Sequence, residues 1–108
     1  MQTLQTFKIE EIEKKDRLLE ILSDKYCRAI LKSTMSTPKS VTEVTTETKI
    51  PISTVYRKIQ TLYDNKLLRT SGTITDEGKK LFLYKSKIKG IQSTFNDGQV
   101  EVDLTPND

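Results

Sequence analysis

Between residues 53 and 61 the sequence STVYRKIQT sets Ser53, Thr54, Arg57, Gln60 and Thr61 at helical spacing. Short hydroxyls, one guanidinium and one carboxamide are not a catalytic set. They are the groups that donate to and accept from base edges and phosphate oxygens, with the guanidinium able to bind in two-pronged fashion. Tyr56 and Lys58 flank this face and suit backbone contact. On the opposite side Val55, Ile59 and Leu62 fall at i, i+4 and i+7, so the segment from Ile52 to about Asn65 reads as a helix with one aliphatic stripe and one polar face.

Other reactive patterns are missing from the sequence. There is one cysteine and no histidine, so a structural zinc site cannot be assembled from soft ligands, and Cys27 in SDKYCRAIL sits at core spacing. No nucleophile and base pair, phosphate-cradling glycine loop or metal cluster is visible, so neither catalytic residues nor a cofactor nor a metal is expected, and an enzyme is the least favoured class. No small-molecule site is evident.

The charge distribution agrees with a polyanion partner. The net +3 conceals ten Lys/Arg against three Asp/Glu in residues 49 to 90, and none against four in residues 91 to 108. Duplex DNA would be drawn to the first segment and repelled by the second. No apolar run suits a membrane span and the first residues lack the apolar core of a secretory signal, so a cytoplasmic protein is expected. At 108 residues, 34% hydrophobic and 31% charged, the chain is long enough for one aliphatic core.

The elements that position the polar face can be read in turn. IEEIEKKDRLLEIL, residues 9 to 22, carries three Glu-to-base i, i+4 pairs and reads as a helix, with its first turns left available to a second subunit. SDKYCRAILKSTM reads as a second helix capped by Ser23. Ser40 and Glu43 have capping-box spacing and open a short helix to about Thr48 that buries Val41 and Val44. Pro51 then marks the entrance to the polar-faced helix.

KLLRTSGTIT and GKKLFLYKS form two strands about a turn holding Asp76, Glu77 and Gly78. A last hairpin turns at Asp97-Gly98, with Asn96 facing Gln99, and the pairs Phe95/Val100, Ser93/Val102 and Ile91/Leu104 share one apolar side, with Thr94/Glu101 and Gln92/Asp103 on the other. The apolar side needs a cover, either the preceding sheet, the N-terminal helix or a partner subunit. Beyond Thr105 the tail should fray.

The order of elements predicts an α+β, mainly α, winged helix-turn-helix: a three-helix core and hairpin wing over 23–87, an N-terminal helix over 1–22 as a candidate dimerisation arm, and a C-terminal hairpin and tail over 88–108. Two further sites suit phosphates: Lys39 with Ser40 at the start of the short helix, and Lys79 with Lys80 near the wing tip, where Asp76 and Glu77 weaken the case.

LSDKYCRAIL, IPISTVYRKIQTLYDNKLL, TDEGKKLFLYKSKIKGI and FNDGQVEVDL together resemble ArsR-like winged-helix transcriptional regulators of the archaeal type, over about residues 18 to 104. STVYRKIQTL is the more specific piece. The resemblance implies sequence-specific duplex DNA binding by a homodimer, with the helix from Ile52 to about Asn65 as the reader. Metal sensing, which paired cysteines or His/Asp clusters support in that family, does not carry over. A winged helix serving as a protein-interaction subunit of a larger complex is the alternative.

Overall fold

The computed structural model describes residues 5–108. The chain runs β1 (Phe7–Ile9), α1 (Ile12–Ser23), α2 (Lys25–Ser33), α3 (Val41–Thr48), α4 (Ile52–Asp64), β2 (Leu68–Ile74), β3 (Lys80–Ser86), β4 (Ile88–Asn96) and β5 (Gln99–Pro106). The first four residues of the expected N-terminal arm lie outside the described residues.

α2, α3 and α4 form a tripod about one aliphatic core. Cys27, Ile30 and Leu31 from α2, Val41 and Val44 from α3, and Val55, Ile59 and Leu62 from α4 are all buried. α3 is short and threonine-rich, so its stability rests on this packing and on its cap. The cap is complete: Ser40 accepts from the Glu43 N–H at 3.2 Å, and the Glu43 carboxylate accepts from the Ser40 N–H at 3.0 Å. Lys49, at φ 64°, ends α3 in the left-handed region, and Pro51 opens α4 within two residues.

α2 starts one residue later than its expected cap. Asp24, not Ser23, accepts from the N–H groups of Tyr26 (2.8 Å) and Cys27 (3.2 Å), while Ser23 is the last residue of α1 and its hydroxyl donates to the Glu20 carbonyl. A carboxylate is the stronger acceptor for two converging N–H groups. Asp24 thereby closes α1 and opens α2 with no loop between them.

The N-terminal segment departs from expectation as well. The helix begins at Ile12, and Phe7–Ile9 instead form β1, which pairs antiparallel with β5 through Phe7↔Leu104, Lys8↔Asp103 and Ile9↔Val102. Ile9 is thereby buried. Three residues carry no local strand signal; the pairing partner lies almost a full chain away.

The wing is the two-stranded sheet β2-β3, in register from Leu68↔Ser86 to Ile74↔Lys80. Its root is tied to the rest of the fold: Lys39 and Tyr84 exchange backbone hydrogen bonds of 2.9 and 2.8 Å, and the Ser86 N–H donates to the Thr34 carbonyl. The last hairpin has the expected register throughout, with Asp97 (φ 52°) and Gly98 (φ 75°) at the two left-handed turn positions.

β1-β5-β4 make the second sheet. Its cover is α1, whose Leu18 and Ile21 join Val102 and Leu104 in the common core. Lys15 also donates to the Val100 carbonyl at 3.3 Å. The chain end does not fray as expected: Asn107 is buried, and its carboxamide donates to the carbonyls of Met35 (2.8 Å) and Ser86 (3.0 Å). That amide satisfies two carbonyls left over where α2 and β3 end.

Candidate nucleic-acid interface

α4 presents the polar face that its spacing predicts. Val55, Ile59 and Leu62 are fully or almost fully buried, and Ser53, Tyr56, Arg57, Gln60 and Thr61 are exposed, with Thr54 half-buried at the edge. At the N-terminus Pro51 supplies no side-chain cap, so the first N–H groups of a thirteen-residue helix are left to the outside. Gln60 donates to Asp64 at 2.7 Å, leaving its carbonyl oxygen and one N–H proton uncommitted. Thr61 donates back to the Arg57 carbonyl at 3.2 Å, which withdraws its hydroxyl proton from the outer face.

Arg57 makes no ion pair among the described residues; the pairs there are Lys8 with Glu101, Lys39 with Glu47 and Lys58 with Asp24. A guanidinium held on the outer face of a helix and free of carboxylates retains its full capacity for a planar acceptor pair. Of the ten basic residues between 49 and 90, only Lys58 is paired within the described residues.

The fold does not bring every expected cation to this face. Lys58 points back to α2, where its ammonium meets Asp24, both groups largely shielded. The Lys58 ammonium beside it holds the Asp24 carboxyl below its ordinary value, against the opposing effect of burial and with help from the Cys27 and Tyr26 N–H groups. Lys39 is bound to Glu47, which also accepts from Ser33; the Lys39 contact first, and the Ser33 hydroxyl after it, lower the Glu47 carboxyl. Ser40 is buried and occupied in its capping box. These three side chains hold the helices in place and offer little to a ligand.

On the wing, Lys79 and Lys80 are exposed as expected, Lys79 in the turn and Lys80 with its ammonium 5.0 Å from the Phe82 ring centre. Asp76 and Glu77 share the turn and are exposed too. Sequence reading passed over Arg69, which the β2-β3 register sets opposite Lys85 near the wing root. Neither has an ion-pair partner among the described residues. Their juxtaposition depends on strand register, so the residue types alone gave no sign of it. A shallow groove lined by Gln60, Tyr63, Thr70 and Phe82 runs between α4 and the wing, linking the two surfaces.

Cys27 is enclosed, and its thiol is pushed up to about 11, first by burial and then by the negative charge of Asp24. It is a packing residue. No group of three or more metal-ligating side chains occurs among the described residues, and no described helix is long and apolar enough to cross a membrane.

Comparison with solved structures places this geometry. NolR from Sinorhizobium fredii superposes with a TM-score of 0.57 at 16% identity, covering 71% of this chain and 72% of that one. A protein described as a "possible transcriptional regulator" from Methanosarcina mazei Go1 superposes with a TM-score of 0.56 at 18% identity, covering 77% and 76%. The fold is a winged helix-turn-helix. In that fold α3 and α4 are the helix-turn-helix and β2-β3 is the wing, with β1, α1 and the β4-β5 hairpin added around them. No family model matches the chain, and no curated protein matches it in sequence.

Proposed function

We propose that this protein is a sequence-specific duplex DNA-binding regulator of transcription, ArsR-like and of the archaeal type, working in the cytoplasm as a homodimer. α4 enters the major groove. Ser53, Thr54, Arg57 and Gln60 face base edges, Tyr56 and Thr61 lie against the sugar-phosphate wall, and Lys79 and Lys80 reach phosphate from the wing. Lys39, Ser40 and Lys58 serve the same surface indirectly, by fixing α3 and α4 on the core.

The observation that carries the reading is Arg57: exposed and without a carboxylate partner among the described residues, on the outer face of a helix whose inner face is locked by Val55, Ile59 and Leu62. A good two-pronged arginine contact to guanine discriminates against a wrong base by about 1–3 kcal/mol. Arg57→Ala is therefore expected to lower affinity for the preferred site by roughly 5-fold to 150-fold, with little change on random duplex. The site is obtained by selection from random duplexes, and affinity is read by gel shift at fixed salt. Equal binding of wild type and Arg57→Ala to the selected site would refute the assignment of the reader.

The reading of the chain as a protein-interaction subunit draws on exposed apolar groups outside α4, Ile12 and Phe95. It predicts no salt-dependent binding to any duplex.

A further inference from the structure

β4 is an edge of the β1-β5-β4 sheet. Open edges invite pairing with another strand and are normally blunted by lysine, proline or a bulge. β1 carries Lys8, β2 carries Arg69, and β3 carries Lys80 and Lys85. From Ile91 to Asn96, β4 reads IQSTFN, with no charge and no proline, and its irregularity lies earlier, between Ile88 and Gly90.

Phe95 is the anomaly on this strand. It shares the face of Ile91, Val102 and Leu104 that packs toward α1, yet it is 75% exposed. Near the other end of the strand, Ile91 lines an apolar cleft with Leu22, Leu31 and Met35, rimmed by Arg28 and Lys89. An uncovered aromatic and an unfilled apolar cleft thus lie on one side of one free-edged strand.

The hydrogen-bond alternation fixes how two such strands could meet. The residues flanking a two-residue hairpin turn exchange both backbone hydrogen bonds, so Asn96, Thr94 and Gln92 spend theirs on β5. Ile91, Ser93 and Phe95 therefore aim N–H and C=O at the open edge. With a two-fold axis at Ser93, an antiparallel copy sets Ser93 opposite Ser93 and Ile91 opposite Phe95 twice. It also brings the acidic turn at Asp97 to the Lys89 end of its mate. Moving the axis to Gln92 would place Phe95 against Lys89, and moving it to Thr94 would place Ile91 against Asp97. Only the Ser93 register joins apolar to apolar and acid to base.

We propose that a second copy of this chain pairs with β4 about a two-fold axis at Ser93, so that Phe95 of each copy covers Ile91 and the adjoining cleft of the other. The contact is isologous and closes on itself. It makes the two sheets one continuous six-stranded sheet. This names the interface of the homodimer proposed above and does not depend on DNA binding.

Light scattering on the full chain is expected to give twice 12.4 kDa, and Phe95→Asp to reduce that to 12.4 kDa with an unchanged far-ultraviolet circular dichroism spectrum and a melting temperature that no longer rises with protein concentration, since the side chain is exposed in the single copy. Residues in such a pair have Cα atoms about 5.5 Å apart, within disulfide reach. Ser93→Cys should therefore form a covalent dimer on mild oxidation, whereas Thr73→Cys on the wing should not; Cys27 is enclosed and does not compete. A dimeric Phe95→Asp, or a dimeric Ser93→Cys that resists oxidation, would overturn this interface while leaving the homodimer intact. A monomeric wild type would overturn both, and gel shift on the selected duplex reads the DNA-binding proposal separately.

Discussion

Asp24 performs two tasks with one carboxylate, and two substitutions separate them. Its side chain accepts from the N–H groups of Tyr26 and Cys27 at the start of α2 and also holds Lys58 of α4. Loss of an N-cap costs about 1 kcal/mol. The ion pair, with side chains 25% and 23% exposed, is more shielded than a surface pair and contributes roughly 1 kcal/mol. Asp24→Asn keeps the cap and loses the pair, so it should cost about 1 kcal/mol, and Asp24→Ala should cost about 2. In urea, where slopes are about 1–3 kcal/mol per molar, each step moves the midpoint by on the order of 0.5 M. The acid dependence follows from linkage. The native carboxyl titrates below its unfolded value of 3.8, so the unfolded chain binds the proton first as pH falls. The stabilisation is complete above the unfolded value and is lost as pH drops through the native one. The gap between wild type and Asp24→Asn should close over that acid window and stay constant above it. Equal midpoints for wild type and Asp24→Asn at neutral pH, or an Asp24→Ala no weaker than Asp24→Asn, would refute the division of labour.

Lys79→Ala should weaken DNA binding about equally on all duplexes and reduce the salt slope by about 1, whereas Lys58→Ala, already committed to Asp24, should lower stability and leave that slope unchanged; gel shifts across a salt series decide between them. The Cys27 thiol, pushed up to about 11 and enclosed, should react with an aromatic disulfide reagent at pH 8 only through opening of the fold. Its rate should rise with sub-denaturing urea, and a rate in water like that of a free thiol would contradict the burial.

The sequence by itself determined whatever rests on local periodicity and turn chemistry. Val55, Ile59 and Leu62 against Ser53, Arg57 and Gln60 defined α4 and its outer face, because a helix repeats within one segment. Ser40 with Glu43 marked the start of α3, and Asp97-Gly98 set the register of β4 on β5, since the geometry of each is closed within a few residues. Tertiary structure decided what depends on partners distant in the chain. The pairing of Phe7–Ile9 with β5, the anchoring of Asn107 by Met35 and Ser86, and the diversion of Lys58 to Asp24 and of Lys39 to Glu47 have no local signature. A lysine that reads as a free cation in sequence becomes part of the scaffold once folding sets a carboxylate beside it. The three-dimensional arrangement, and not residue type, therefore selected which positive charges remain available to a polyanion.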